Sequence, residues 1–159
     1  MRGSIIPAAA AVLLSLGACA GGPDGRPALL LVTMTGIQQV PVPGDPDGSG
    51  TVEIRVAPRD GQVCWNLYAR GIEPATVAHI HRGAAGLVGP PVVTLTTPDA
   101  AGRSQGCSTV DLALARELSL QAHLFYVNVH NSAHPAGAIR GQLRGGASRP
   151  QRLEPAAGR

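Results

Sequence analysis

Thr51-Val52-Glu53-Ile54-Arg55-Val56-Ala57 and, one short turn later, Gln62-Val63-Cys64-Trp65-Asn66-Leu67-Tyr68-Ala69 alternate between apolar and polar side chains. Successive side chains of an extended strand point to opposite faces, so a period of two marks a strand with one face buried. Val52, Ile54 and Val56 form one inward row, and Val63, Trp65 and Leu67 form a second. Outward from this pair, Leu29–Thr35 precedes it, and Val77–His81, Val92–Thr96, Cys107–Val110, Leu124–His130 and Ala138–Leu143 follow as short strands between turn residues. Pro41–Gly50 is dense in turn formers. Its Asp45-Pro46-Asp47-Gly48 lacks the later carboxylate that a calcium loop requires, so it is read as a hairpin turn. One segment breaks the rhythm: in Asp111–Gln121, Leu112, Ala115 and Leu118, joined by Leu114, recur at helical spacing behind Asp111 as a candidate N-cap. The expectation is an all-β fold, an immunoglobulin-like or Greek-key β-sandwich of about seven to eight short strands with one short helix.

The ends of the chain are of a different kind. Arg2 gives a positive start, Ile5–Leu16 is apolar, and Leu16-Gly17-Ala18-Cys19 follows. A charged beginning, a short apolar stretch and small residues before a cleavage point describe an export signal. The stretch is too short for a permanent membrane helix, which needs roughly 20 residues. Leu16-Gly17-Ala18-Cys19 resembles the bacterial lipobox, which implies cleavage after residue 18 and lipidation of Cys19. Residues 19–27 then read as lipidated cysteine and Gly/Pro-rich tether, 28–145 as the β domain, and 146–159 as a disordered tail. The expected place is the cell envelope, lipid-anchored and facing the periplasm or in the outer membrane. Ala20 is not the aspartate that retains some lipoproteins at the inner membrane.

Of three cysteines, Cys64 and Cys107 remain if Cys19 carries lipid. An even pair in an oxidising compartment reads as a disulfide, with free thiols or thiolate metal ligands as the alternatives. The bridge would contribute about 4 kcal/mol by loop-closure entropy, less any strain. A net charge of +3 is mild, and the basic residues, all arginine, form no dense stripe with interleaved aromatics. Nucleic acid is excluded on that ground. Ser104, Ser108 and Ser119 sit in no nucleophile elbow, no pair of carboxylates is convincingly spaced, with Asp99 and Asp111 alone left open, and no Gly-rich turn opens a helix.

Chemistry concentrates in histidines. His79 and His81, two residues apart on a strand, project from one face with Ile80 opposite. On Leu124–His130, Phe125, Val127 and Val129 form the apolar row, leaving Tyr126, Asn128 and His130 on the outer face. Along Ala138–Leu143, Ile139 and Leu143 face in while Arg140 and Gln142 face out. If these strands pair, His79, His81 and His130 gather on one surface with His134 on an adjoining turn, a donor set suited to zinc, copper or nickel. Each histidine could equally serve as a structural hydrogen-bonder, with Asn128 and Arg140 completing a polar ladder. His123, away from these segments, is not expected to be a ligand. Arg82 and Arg140 are exposed-face candidates for holding an anion, but read first as solvated charges.

Ala78-His79-Ile80-His81-Arg82-Gly83 with Gly89-Pro90-Pro91-Val92-Val93, and Tyr126-Val127-Asn128-Val129-His130 with Pro135-Ala136-Gly137-Ala138-Ile139-Arg140-Gly141-Gln142-Leu143, resemble the CHRD domain family, which is common among bacterial exported proteins. The family pattern carries Glu where this chain has Ala138, so any role of that carboxylate is absent. The resemblance spans Leu29 to Leu143 and implies a fold and a compartment more than an activity. His-x-His on a strand is also similar to a copper-ligand segment of copper/zinc superoxide dismutase, although that family's zinc-loop ligands have no counterpart here. Two functions follow as expectations. One is a non-enzymatic envelope module, held to the membrane by lipid and serving either a structural role or the binding of an envelope protein partner. The other is a copper- or zinc-binding protein, with superoxide-dismutase-like chemistry as its catalytic form.

Overall fold

The computed structural model describes residues 25–146. The export signal, Cys19, most of the tether and the tail lie outside them. The strands are β1 (Ala28–Thr35), β2 (Ser49–Ala57), β3 (Gln62–Arg70), β4 (Ala75–Arg82), β5 (Pro91–Leu95), β6 (Arg103–Thr109), β7 (Phe125–Asn131), β8 (Ile139–Gln142) and the two-residue β9 (Gly145–Gly146), with one α-helix, α1 (Leu112–Leu120). The all-β fold with a short helix is therefore as expected.

All strands belong to one antiparallel sheet, in the order β5-β4-β7-β8-β1-β2-β3-β6 with β9 also on β1. The sheet folds over so that its end strands β5 and β6 meet, which makes the two layers of the sandwich nearly a barrel. Ser104 on β6 ties this seam by donating from its hydroxyl to the Thr96 carbonyl beyond β5. The same hydroxyl accepts from Trp65 Nε1 at 3.1 Å, which satisfies the one polar atom of the buried indole. Gly106 lies opposite Trp65 in the register. A Cβ there would come within 2.6 Å of the indole, so the seam needs a residue without a side chain at this point.

The rows read from the sequence are the rows that fill the interior. Val52, Ile54 and Val56 of β2 and Val63, Trp65 and Leu67 of β3 are buried, with Leu30, Val32 and Met34 of β1 beside them. Each such side chain contributes roughly 1.5–3 kcal/mol by leaving water. On α1, Ala115 and Leu118 are buried, whereas Leu112 is exposed. Asp111 precedes the helix, but its side chain makes no cap hydrogen bond. Asp45 does organise a turn, as expected of its segment: its side chain accepts from Asp47 N and its carbonyl from Gly48 N. Cys64 and Cys107, directly paired across β3 and β6, form the disulfide on the face away from the core.

The third layer was not anticipated. Every residue of β7 except His130 is buried, so this strand is covered on both faces. The cover on its outer face is the segment between β4 and β5. Gly83 N bonds the Leu124 carbonyl, Arg82 N bonds the Pro90 carbonyl, and Gly89 N reaches Tyr126 Oη. Tyr126 and Asn128 consequently lie inside rather than on an open surface.

Candidate metal centre

His79 and His81 come from β4, and His130 from its neighbour β7. In the β4–β7 register His79 faces Asn128, Val77 faces His130 and His81 faces Tyr126. Antiparallel pairing thus brings the two His-bearing rows onto one face. The imidazoles meet edge to face: His79 and His81 centroids are 5.4 Å apart, and His79 and His130 centroids 5.6 Å. Ligand atoms of all three lie within 4.8 Å of one another.

Two of the rings are fixed by main-chain carbonyls. His81 Nδ1 is 2.8 Å from the Gly89 carbonyl oxygen, and His130 Nδ1 is 2.9 Å from that of Pro135. A carbonyl only accepts, so Nδ1 of each ring carries the proton and Nε2 is left with its lone pair. Those two Nε2 atoms, together with His79 Nδ1, are buried without any hydrogen-bond partner. Asn128 Oδ1, on the same face, makes no well-aligned hydrogen bond but lies close enough to His81 to favour its charged form. Ring nitrogens buried together without hydrogen-bond partners are costly, and a cation among them would remove that cost.

Burial pushes the His79 pKa below its ordinary value of 6.5, and the neighbouring His81 and His130 rings add to the effect. His81 is lowered as well, again chiefly by burial, against opposing pulls from the Gly89 carbonyl and the Asn128 side chain. The neutral, ligating form is therefore favoured. Both groups have native values below the unfolded one, so on acidification the unfolded chain takes protons first. The stability they contribute is fully present above about pH 6.5 and is lost as pH falls through the lowered native values. In metal-free protein, urea midpoints measured from pH 7.5 down to 5 should decline, and His79→Gln/His81→Gln should flatten that decline.

Behind His81 lies a stack. Tyr126 is nearly parallel to the imidazole at a centroid distance of 4.8 Å, and the Arg140 guanidinium carbon sits 3.5 Å over the Tyr126 ring centroid. Arg140, expected to be solvated, is only 2% exposed. Its Nη2 donates to the Leu87 and Ala84 carbonyls of the covering segment, at 2.9 and 3.3 Å. Burial lowers its pKa.

The sequence-predicted set is thus partly assembled. His79, His81 and His130 come together, whereas His134 stands apart with Nε2 3.8 Å from Asp45 Oδ2. His123 is remote, at the end of the turn before β7. Tyr126 and Arg140 were visible as residues of strands, but alternation placed them outside. Only the path of the segment from Gly83 to Pro90 shows that they are enclosed.

The model of the CHRD domain matches residues 30–143, from the start of the core of β1 to Leu143, including all three clustered histidines. The chain belongs to the CHRD domain family. No curated protein and no solved structure matches it. Within this CHRD domain, both segments that carried the resemblance border the cluster: one supplies His79, His81 and the Gly89 carbonyl, the other Tyr126, His130 and Arg140.

Proposed function

We propose that this CHRD domain is a non-enzymatic, metal-binding module of the bacterial cell envelope, holding one copper or zinc ion on His79, His81 and His130. The observation that carries the reading is the convergence of three buried, unpartnered imidazole nitrogens within 4.8 Å. A tetrahedral ion with bonds of about 2.0–2.1 Å wants donor separations of about 3.3 Å, which small ring rotations supply. Carbonyls that fix the protonated nitrogens of His81 and His130 are the outer partners that metal-bound histidines ordinarily have. The envelope location rests on the export signal and the lipobox-like segment ending at Cys19. Anchoring there would keep the ion near the membrane and near an envelope protein partner that delivers or receives it.

The test is elemental analysis of the folded, oxidised mature protein after exposure to zinc or copper and removal of excess ion. About one ion per chain is expected, and none in His79→Ala/His81→Ala. Wild-type protein that is folded yet holds no metal above background overturns the reading and leaves the histidines as structural hydrogen-bonders.

Gly89 gives a milder test. A Cβ at this position would collide with the Arg82 carbonyl, so the strand-side segment must shift to admit it. Gly89→Ala should displace the carbonyl that orients His81 and weaken metal affinity about 10–100-fold without abolishing binding, as measured by chelator competition.

A further inference from the structure

Three imidazoles leave a four-coordinate ion one position short. Among the described residues no carboxylate or thiolate joins the cluster, and His134 stands apart, its Nε2 3.8 Å from Asp45 Oδ2. What lies over the histidines is a groove of about 440 Å³, bordered by Thr76, Val77, Asn131, Ser132 and Pro135. Of these, Thr76 and Ser132 are exposed, so the groove communicates with solvent.

Charge decides what would enter. The ligand set is neutral, and the charged group nearest along the His81–Tyr126 stack is itself a cation, Arg140. Arg140 has carbonyl partners and belongs to none of the ion pairs among the described residues. A divalent ion on neutral ligands, with a buried arginine one aromatic ring beyond His81, leaves an excess of positive charge in a partly buried site. An anion at the open position relieves both the missing donor and the excess charge. Water supplies the donor but relieves the charge only by giving up a proton to become hydroxide.

We propose that the fourth coordination position opens into this groove and takes a small monovalent anion in exchange with solvent. The proposal rests on the metal reading above. Its probe is azide, titrated into the copper(II)-loaded mature protein and followed by the azide-to-copper charge-transfer band and by electron paramagnetic resonance. Saturable changes in both are expected. Ser132→Trp, at an exposed position on the groove rim, should keep the copper stoichiometry and weaken azide at least about tenfold. Thr76→Trp, at an exposed groove position on β4, should do the same and stands in if the first variant misfolds. Copper bound one to one with spectra indifferent to azide overturns the proposal while the metal reading stands. Azide bound equally well by both tryptophan variants also overturns it, since the ligand then arrives by another route. Wild-type protein that binds no copper brings down both.

Discussion

Mature protein with both Cys64 and Cys107 replaced by serine should unfold about 4 kcal/mol more easily than the oxidised wild type, read as a lowered urea midpoint. The bridge closes a loop with a sequence separation of 43, and the estimate is the chain entropy which that loop regains in the unfolded state. Packing contributes little to the difference, because the pair lies on the outer face and Cys107 is exposed. What the bridge secures is β6, an end strand of the sheet. Beyond the bridge and the pairing with β3, β6 is held at the seam by Ser104. Loss should therefore show first as faster amide exchange along β6 and β5. Equal stability with and without the bridge would mean that hydrogen bonding at the seam already holds β6 closed.

Phe125→Ala should cost about 3–5 kcal/mol, the usual range for truncating a buried aromatic. Phe125 is fully buried at the first position of β7. Its carbonyl accepts from Leu143 N and from Gln142 Nε2, so it also sets the register of β7 against β8. The Arg82 guanidinium lies 5.0 Å above its ring and pairs with Glu117 of α1, which links the strand to the helix. Calorimetry gives the stability. Metal affinity, measured well below the lowered melting temperature, should change far less than stability, because Tyr126 stands between this position and the histidines.

How much of this was legible in the sequence follows from where periodicity applies. The β2–β3 hairpin shows plainly because its two faces meet different surroundings, core on one side and water on the other. The histidine trio is legible for a related reason. His79 and His81 share a face by spacing alone, and antiparallel pairing of β4 with β7 then sets His130 beside them. The enclosure of Tyr126, Asn128 and Arg140 is not legible in this way. A strand covered on both faces should read as continuous hydrophobics. Here the second cover is an irregular segment whose carbonyls need donors, so polar side chains fill the outer row and imitate exposure. His134 failed for another reason. It sits on a turn, where no period fixes direction, and its backbone N donates to Asn131 Oδ1 while the ring lies towards Asp45 of a distant turn. The meeting of β5 with β6 also has no sequence signature, since end strands are named only by the final topology.

β9 pairs with the beginning of β1, Gly146 opposite Leu29 and Gly145 opposite Leu30. The described chain thus enters and leaves the domain side by side at one pole. Arg140 is level with Thr35 at the far end of β1, Asn128 with Arg140, and His79 with Asn128. At about 3.3 Å per residue, the histidines stand on the order of 20 Å from the entrance, measured along the strands. If the anchoring proposed above holds the domain by the residues before Ala28, the histidines lie towards the pole far from the point of attachment, where a Gly/Pro-rich tether leaves them open to a neighbour.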